Sequence, residues 1–251
     1  MQNVLNALRT LEEVAARQPI GVADLARALE LPKSSVQRAL VTLHTAGWIR
    51  QTAGTPTRWA VTTKALHVGR SATGELGLRD IAVPVMEELR RETDETVHLA
   101  VPEGGRIVLI ERLETSRPVR IVLPLGQNLS AHASANGKAV LAASSAEAVE
   151  RYIADGLARF TDASITDPGR LRAELAEIRA RGYATNSGEW RDDVSAVAAA
   201  VIGADGTTPV ASISVNVPSS RMTDTSRATL GAAVREAADR VGKLLRRAAG
   251  L

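Results

Sequence analysis

The chain has 251 residues, enough for two domains and an ample core. It is 45% apolar and contains no Cys, which excludes a disulfide framework, a thiolate metal site and a Cys nucleophile. The net charge of +3 is unevenly spread: residues 1–75 hold nine Lys and Arg against five Asp and Glu, and the remainder twenty-two against twenty-three. The basic excess that a phosphate-binding module requires therefore sits in the N-terminal part. Aromatics are only 2%, so Ala, Val, Leu and Ile must build the core. No apolar run approaches the ~20 residues of a membrane helix. Met1-Gln2-Asn3-Val4 lacks a signal peptide's basic start, and the expected location is cytoplasmic, with no membrane partner.

In chain order, Val4, Leu8, Leu11 and Ala15 mark a first helix that ends before Pro19. Val22, Leu25, Ala26 and Leu29 lie at helical spacing, with Gly21 as N-cap and Asp24 near the positive end. Glu30 stands in a turn where a Gly is often wanted for positive φ. Pro32 blocks the preceding helix, and Ser34 or Ser35 is expected to cap the next, whose inner face is Val36, Ala39, Leu40 and Leu43. Its other face carries Ser34, Ser35, Gln37, Arg38, Val41, Thr42 and Thr45, short and basic with no acid. A helix pair with such a free face is what a helix-turn-helix presents to the major groove. Trp48 to Gln51 and Arg58 to Val61, joined through Gly54-Thr55-Pro56, form a hairpin wing. The expected DNA contacts are Lys33, Ser34, Ser35, Gln37, Arg38 and Thr42 on the helix and Arg50 and Arg58 on the wing.

Thr62 and Thr63 cap a further helix through Val68, and Gly69 to Gly77 is a hinge. This divides the chain into a DNA-binding domain over 1–62, a linker helix and hinge over 63–77, and a second domain over 78–251. Leu78, Ile81, Ala82, Val85, Met86 and Leu89 mark a helix in which Pro84 predicts a kink or a late start. Val97 to Val101 and Ile107 to Arg112 alternate around Glu103-Gly104-Gly105, a hairpin, and Val119 to Leu123 is expected as a further strand. His132 to Ala142 is a loop entering a helix, and Ser144 with Glu147 suggests a capping box for the next. Asp167-Pro168 opens a helix with Leu171, Leu175 and Ile178 inside and Gly182 at its end. Ala196 to Ile202 and Val210 to Val217 are strands. A long closing helix has the stripe Leu230, Val234, Ala237, Val241, Leu244 and Leu245. Helices mixed with antiparallel hairpins give the class α+β.

The whole chain resembles the IclR family of bacterial transcriptional regulators. The resemblance rests on Leu31-Pro32-Lys33-Ser34-Ser35-Val36-Gln37-Arg38, Glu95-Thr96-Val97-His98-Leu99-Ala100, His132-Ala133-Ser134-Ala135-Asn136-Gly137-Lys138-Ala139, Arg181-Gly182-Tyr183-Ala184 and Pro218-Ser219-Ser220-Arg221, in that order. It implies a winged helix-turn-helix, a linker helix that dimerises, and a C-terminal effector-binding domain related to GAF and PAS sensors, with a mostly antiparallel sheet flanked by helices. It implies a homo-dimer or dimer of dimers, operator DNA and a small-molecule effector as partners, and no cofactor or metal. The family's effector pocket maps onto Ala135 and Asn136, the segment from Asn186 through Glu189 to Ala196, and Ser214 and Asn216, with Ile121 and Leu129 as apolar wall. A helix beginning near Ser134 directs unpaired N–H groups at what lies before it, which suits a carboxylate. Ser214 and Asn216 are two apart on a strand and share a face.

Two readings of different classes follow. One is a ligand-responsive DNA-binding regulator, a repressor in the first instance, sensing a carboxylate or aromatic metabolite. The other is a small-molecule hydrolase or transferase on a GAF-like domain, its N-terminal module serving oligomerisation. Catalytic motifs are missing: Gly137-Lys138 is no phosphate loop, and there is no G-x-S-x-G or H-E-x-x-H. His44, His67, His98 and His132 are scattered, with a metal at His132 a remote option. The basic face of residues 33–45 favours the regulator.

Overall fold

A computed structural model describes residues 2–54, 56–72 and 77–250, the backbone alone at 70–72. The chain divides into two compact units, 1–75 and 76–251.

In the first unit, α1 (Gln2–Arg17), α2 (Val22–Leu29) and α3 (Lys33–Thr45) pack around Val14, Leu25, Leu29, Val36, Leu40 and Leu43. The inner face of α1 is Thr10 and Val14, with Leu11 of the expected stripe packed beside them, while Val4 and Leu8 are exposed. Thr10 is tolerated inside because its hydroxyl donates to the Asn6 carbonyl at 2.7 Å. Gly21 caps α2 by backbone conformation alone. Glu30 takes the left-handed conformation foreseen for it, φ 55° and ψ 38°. Neither Ser34 nor Ser35 caps α3. Pro32 does so, in extended conformation, and both serines lie in the first turn. The wing is β2 (Ile49–Thr52) against β3 (Arg58–Val61), and a short β1 (Ile20–Gly21) pairs with the far side of β3. Trp59 and Ile49 anchor this sheet in the core, while Trp48 is half-buried. Thr55 of the wing turn lies outside the described residues. Helix α4 (Thr63–Ala72) runs into the stretch read as a hinge, of which 73–76 lie outside the described residues.

The second unit is a six-stranded sheet, antiparallel throughout, in the order β6-β5-β4-β9-β8-β7. Its strands are β4 (Thr96–Glu103), β5 (Arg106–Leu113), β6 (Asn128–Leu129), β7 (Ala184–Ser187), β8 (Val194–Ile202) and β9 (Pro209–Pro218). One face is covered by α5 (Leu78–Thr93) and α9 (Asp224–Ala248), through Val85, Met86, Leu99, Val197, Ile213, Val215, Val234 and Val241. The other receives α6 (Ala135–Ala143) and α8 (Pro168–Arg181), with α7 (Ala146–Ala154) behind them, through Leu109, Ile121, Leu129, Val140, Leu171 and Leu175. Strict alternation along β4, β8 and β9 serves the two layers. Helix α5 starts at Leu78, so Pro84 does not delay it; the proline lies in the interior and removes one backbone donor.

Two expectations are corrected here. Residues 119–123 form no strand. Ile121 and Leu123 are buried and Val122 is exposed, which imitates a strand's alternation at the end of the segment, while Val119 is exposed and breaks it. Pro118 and Pro124 bracket the segment and remove ladder donors, and arginines take its carbonyls: Arg112 donates to Leu123 and Arg221 to Val119 at 2.8 Å. The short strand at this edge is β6 instead. Helix α7 is capped by Ser145, which accepts from Ala148 N at 3.2 Å. Ser144 donates back to Val140 O at 2.8 Å, so it is not the capping residue.

Two of the sequence segments that carried the resemblance meet in space. Arg221, after β9, grips Glu95, before β4, with Nε and Nη2 at 2.9 and 2.6 Å, the bidentate fork that guanidinium and carboxylate geometry favours. It ties together the ends of the two central strands.

Glu30 offers a direct test of local strain. A left-handed non-glycine residue costs about 1–2 kcal/mol, and glycine's larger loss of freedom returns about 0.5–1 of it. Glu30→Gly should therefore stabilise the first unit by about 0.5–1 kcal/mol, read as slower exchange of the most protected amides in α2 and α3.

Candidate functional site

The first site is the free face of α3. Lys33, Ser34, Gln37, Arg38 and Thr42 are exposed and Ser35 is half-buried, while Val36, Ala39, Leu40 and Leu43 on the opposite side are buried. Arg38 rests an Nη on Ser35 Oγ at 3.4 Å, and Thr42 donates to the Arg38 carbonyl at 3.0 Å. Among the described residues the guanidinium is paired with no carboxylate, and it keeps donors for a base edge or a phosphate. On the wing, Arg50 is exposed and Arg58 spends one donor on the Pro19 carbonyl at 3.2 Å. Val41, also on this face, is 53% exposed.

The second site lies on the sheet face beneath α6. Ser134 caps α6, its Oγ accepting from Gly137 N at 3.1 Å and donating to Ser130 O at 2.8 Å. Gly137 allows the approach: a Cβ there would sit 2.2 Å from Ala131 Cα, an impossible contact with backbone. That approach brings Asn136 onto the sheet, where its Nδ2 donates to Ser212 Oγ at 3.0 Å. The cross-strand register then explains why residues scattered in sequence share one place. Asn186 on β7 is opposite Ala196 on β8, and Ala196 is opposite Asn216 on β9, so three expected residues form a single row. Ser214 lies one row along, and Asn216 Nδ2 donates to its Oγ at 2.8 Å. Ser214 and Asn216 do not decorate a solvated face: they are 0% and 6% exposed. Ala135, Leu129 and Ile121 border this face in the same apolar cluster.

Two expected contacts have other partners in this arrangement. Asn186 donates to Ala133 O at 2.5 Å and accepts from Glu189 N at 3.4 Å, which pins the β7–β8 loop to the α6 entry. Glu189 turns both carboxylate oxygens to Lys138 Nζ, each at 2.7 Å, and Glu174 of α8 stands 3.6 Å from the same ammonium. Lys138 is only 1% exposed. Burial pushes the Glu189 carboxyl up from its ordinary value, against the pull of Lys138. Asp192 and Asp193 stand in a turn before β8, not on a strand, and Asp193 is paired with Arg191 at 2.7 Å. His132 is held structurally. Its Nδ1 lies 2.7 Å from Tyr152 Oη and its Nε2 2.8 Å from Ala158 O, which leaves neither nitrogen for the metal considered above.

This architecture matches known proteins along its whole length. Residues 70–243 match the model of the bacterial transcriptional regulator IclR C-terminal domain, and residues 3–53 that of the IclR helix-turn-helix domain. The chain belongs to the IclR family. It is 32% identical over 245 residues to the transcriptional repressor IclR of Escherichia coli, spanning 96% of this chain and 89% of that protein. To the HTH-type transcriptional regulator BhcR of Paracoccus denitrificans it is 33% identical, over 92% and 83% of the two chains. The Thermotoga maritima IclR structure has the same fold, with a TM-score of 0.83 at 24% identity over 98% of this chain and 100% of that one. So does an IclR homolog complexed with 4-hydroxybenzoate from Microbacterium hydrocarbonoxydans, with a TM-score of 0.81 at 24% identity over 98% and 99%. This IclR-family protein is a ligand-responsive transcriptional regulator, with its DNA-reading head in the first unit and its effector domain in the second.

Two residues that pack into this arrangement were missed in the sequence: Ser212 and Lys138. Ser212 had a signal, since it continues the period-two set of Ser214 and Asn216. Lys138 had none, because its partner is fifty-one positions away. For the ion pair the expectation is sharp. Lys138→Met leaves Glu189 buried without its cation and should cost about 3–5 kcal/mol in urea unfolding of the second unit. Lys138→Met with Glu189→Met should recover most of that loss. The single variant's deficit should shrink as pH falls through the raised Glu189 range, because the protonated acid needs no cation.

Proposed function

We propose that this protein represses transcription as a two-fold dimer, or a dimer of dimers, in the cytoplasm, and that a small carboxylate, aromatic or aliphatic, modulates its hold on the operator. It is a regulator and not an enzyme. The observation that carries the reading is the split character of α3, with one face closed in the core and the other offering Lys33, Gln37, Arg38 and Thr42 to a groove with no acid among them. Phosphates are contacted by Lys33, Arg50 and Arg58, and base edges by Ser34, Ser35, Gln37, Arg38 and Thr42. No described helix is long and apolar enough to cross a membrane.

Support for the effector class comes from the chemistry beneath α6 and from relatives. The buried row of Asn216, Ala196 and Asn186, with Ser214 and Asn136 beside it, places hydrogen-bonding groups where an apolar core would otherwise stand. In the Microbacterium relative of the same fold the bound molecule is 4-hydroxybenzoate, a carboxylate. The relatives named as repressors, IclR of E. coli and AllR of Klebsiella pneumoniae, support the sign of regulation. Support for a dimer comes from Leu66 and Val68 on α4, 64% and 44% exposed, together with Val4, Leu5 and Leu8 on α1. A ten-residue helix with such a surface gains its stability by packing.

The test is a gel shift with the operator, across salt concentrations. Arg38→Ala should weaken binding by about 1–3 kcal/mol and relax the preference at one base position. Lys33→Ala and Arg50→Ala should weaken all sequences alike and each reduce the slope of log affinity against log salt by about one. Undiminished binding by Arg38→Ala would overturn the assignment of α3. A second check is light scattering at the concentrations used for binding. Two or four copies per operator are expected, and Leu66→Glu should shift the protein toward monomer and lose operator affinity.

A further inference from the structure

The row next to Asn216 contains a group with no role in the assignments above. His98 on β4 is opposite Ser214 on β9 and opposite Arg112 on β5. Val97 and Leu99 point into the α5–α9 layer, while Ala100 belongs to the cluster beneath α6. His98 alternates with them and therefore shares the face of Ser212, Ser214 and Asn136. It is 1% exposed, and neither ring nitrogen has a hydrogen-bond partner.

That state is costly. An imidazole has one donor and one acceptor, and leaving either unmet inside a protein forfeits the hydration that it loses. Nearly all buried polar groups are satisfied, so an exception marks a place where a partner can be accepted. The other polar groups of this face are engaged: Asn136 with Ser212, Asn216 with Ser214, Asn186 with Ala133. His98 alone holds two open valences in their midst.

The charges around it indicate what would fill them. Arg112 faces His98 from β5 and ties Leu123, hence the Ile121 segment, to the same face. Glu114 pairs with Arg112 at 2.8 Å, so the charged groups that act on the ring are one guanidinium and one carboxylate. The pair leaves the face without excess negative charge, so a carboxylate that accepts from the ring N–H meets no net repulsion there. The ring itself is neutral at physiological pH, since burial and Arg112 push it down to about 3.

We propose that His98 is the effector-reading side chain of the second unit, donating its ring N–H to the carboxylate of a small organic acid seated against Ser214 and Asn136. This rests on the reading of the second unit as a carboxylate sensor and adds to it the residue that does the sensing. Strain of this kind at a binding site is stored in the free protein and released by the ligand.

The test uses the full-length protein, with thermal unfolding measured alone and with acetate, lactate, benzoate and 4-hydroxybenzoate in turn. Two variants are compared with wild type: His98→Leu, which fills the space without polar atoms, and His98→Asn, which keeps a donor. At least one acid should raise the wild-type Tm through binding to the native state. His98→Leu should raise the Tm of the free protein by a few degrees, because an unsatisfied group is removed, and should weaken that acid's Kd at least tenfold. His98→Asn should keep part of the acid response. An acid response equal in wild type and both variants would overturn the role of His98 while leaving the carboxylate sensor intact. A lowered Tm in both variants, with the acid response kept, would likewise show a structural imidazole. If no acid shifts the wild type, the carboxylate reading itself fails, and the role of His98 falls with it.

Discussion

The effector domain depends on one close approach, that of the first turn of α6 to the sheet. Gly137 has room for a hydrogen and nothing more against Ala131. Because α6 comes so near, Asn136 reaches Ser212 across the layer and Lys138 reaches Glu189 on the β7–β8 loop. The same approach packs Ala135 and Ala139 against Ala196 and Ala198, small residues on both sides of the contact. A side chain at position 137 would push α6 outward, separate the amide from the strand and leave a lysine and a glutamate buried apart. The helix, the loop and the polar row are therefore one cooperative unit, fixed by sterics and locked by charge.

The two faces of the sheet divide the labour. The face toward α5 and α9 is mostly apolar, with Glu111 and Ser195 the buried polar exceptions, and holds the domain together. The face toward α6 carries Thr96, His98, Ser212, Ser214 and Asn216 along two adjacent central strands. Polar groups are expensive to bury, and a domain seeking only stability would have apolar residues there. Their presence in the interior, bridged by short hydrogen bonds with one imidazole left over, is the signature of a site rather than of a core.

Much of this was legible in the sequence because the relevant patterns are local. The period of 3.6 located α2, α3, α5, α8 and α9, and Asp167-Pro168 and Gly182 marked both ends of α8. Glu30 was recognisable because helix-turn-helix turns call for a left-handed residue, and it adopts that conformation without being glycine. What was not legible depended on partners distant in sequence. Residues 119–123 read as a strand by composition, but the carbonyls of Leu123 and Val119 belong to Arg112 and Arg221, which no local pattern announces. Ser144 and Ser145 are equally good caps on paper, and only the register of α7 chooses between them. In the site, Ser214 and Asn216 could be placed on a common face by counting in twos. The link of Glu189 to Lys138 and the isolation of His98 required the strand order β5-β4-β9, which is set by packing over more than a hundred residues.

In the regulator proposed above, an acid in the second unit is coupled to DNA at the first. A ligand can alter DNA affinity only through unequal affinity for two states of the protein, and linkage makes the effect reciprocal. The most direct measurement is the Kd of a small acid that raises the wild-type Tm, determined by calorimetry for the free protein and for the protein saturated with operator. The operator should change the acid's Kd by the same factor by which the acid changes the operator's, typically about 5- to 150-fold. Identical acid affinity with and without operator would contradict it, and would leave the second unit a binding domain that does not speak to DNA.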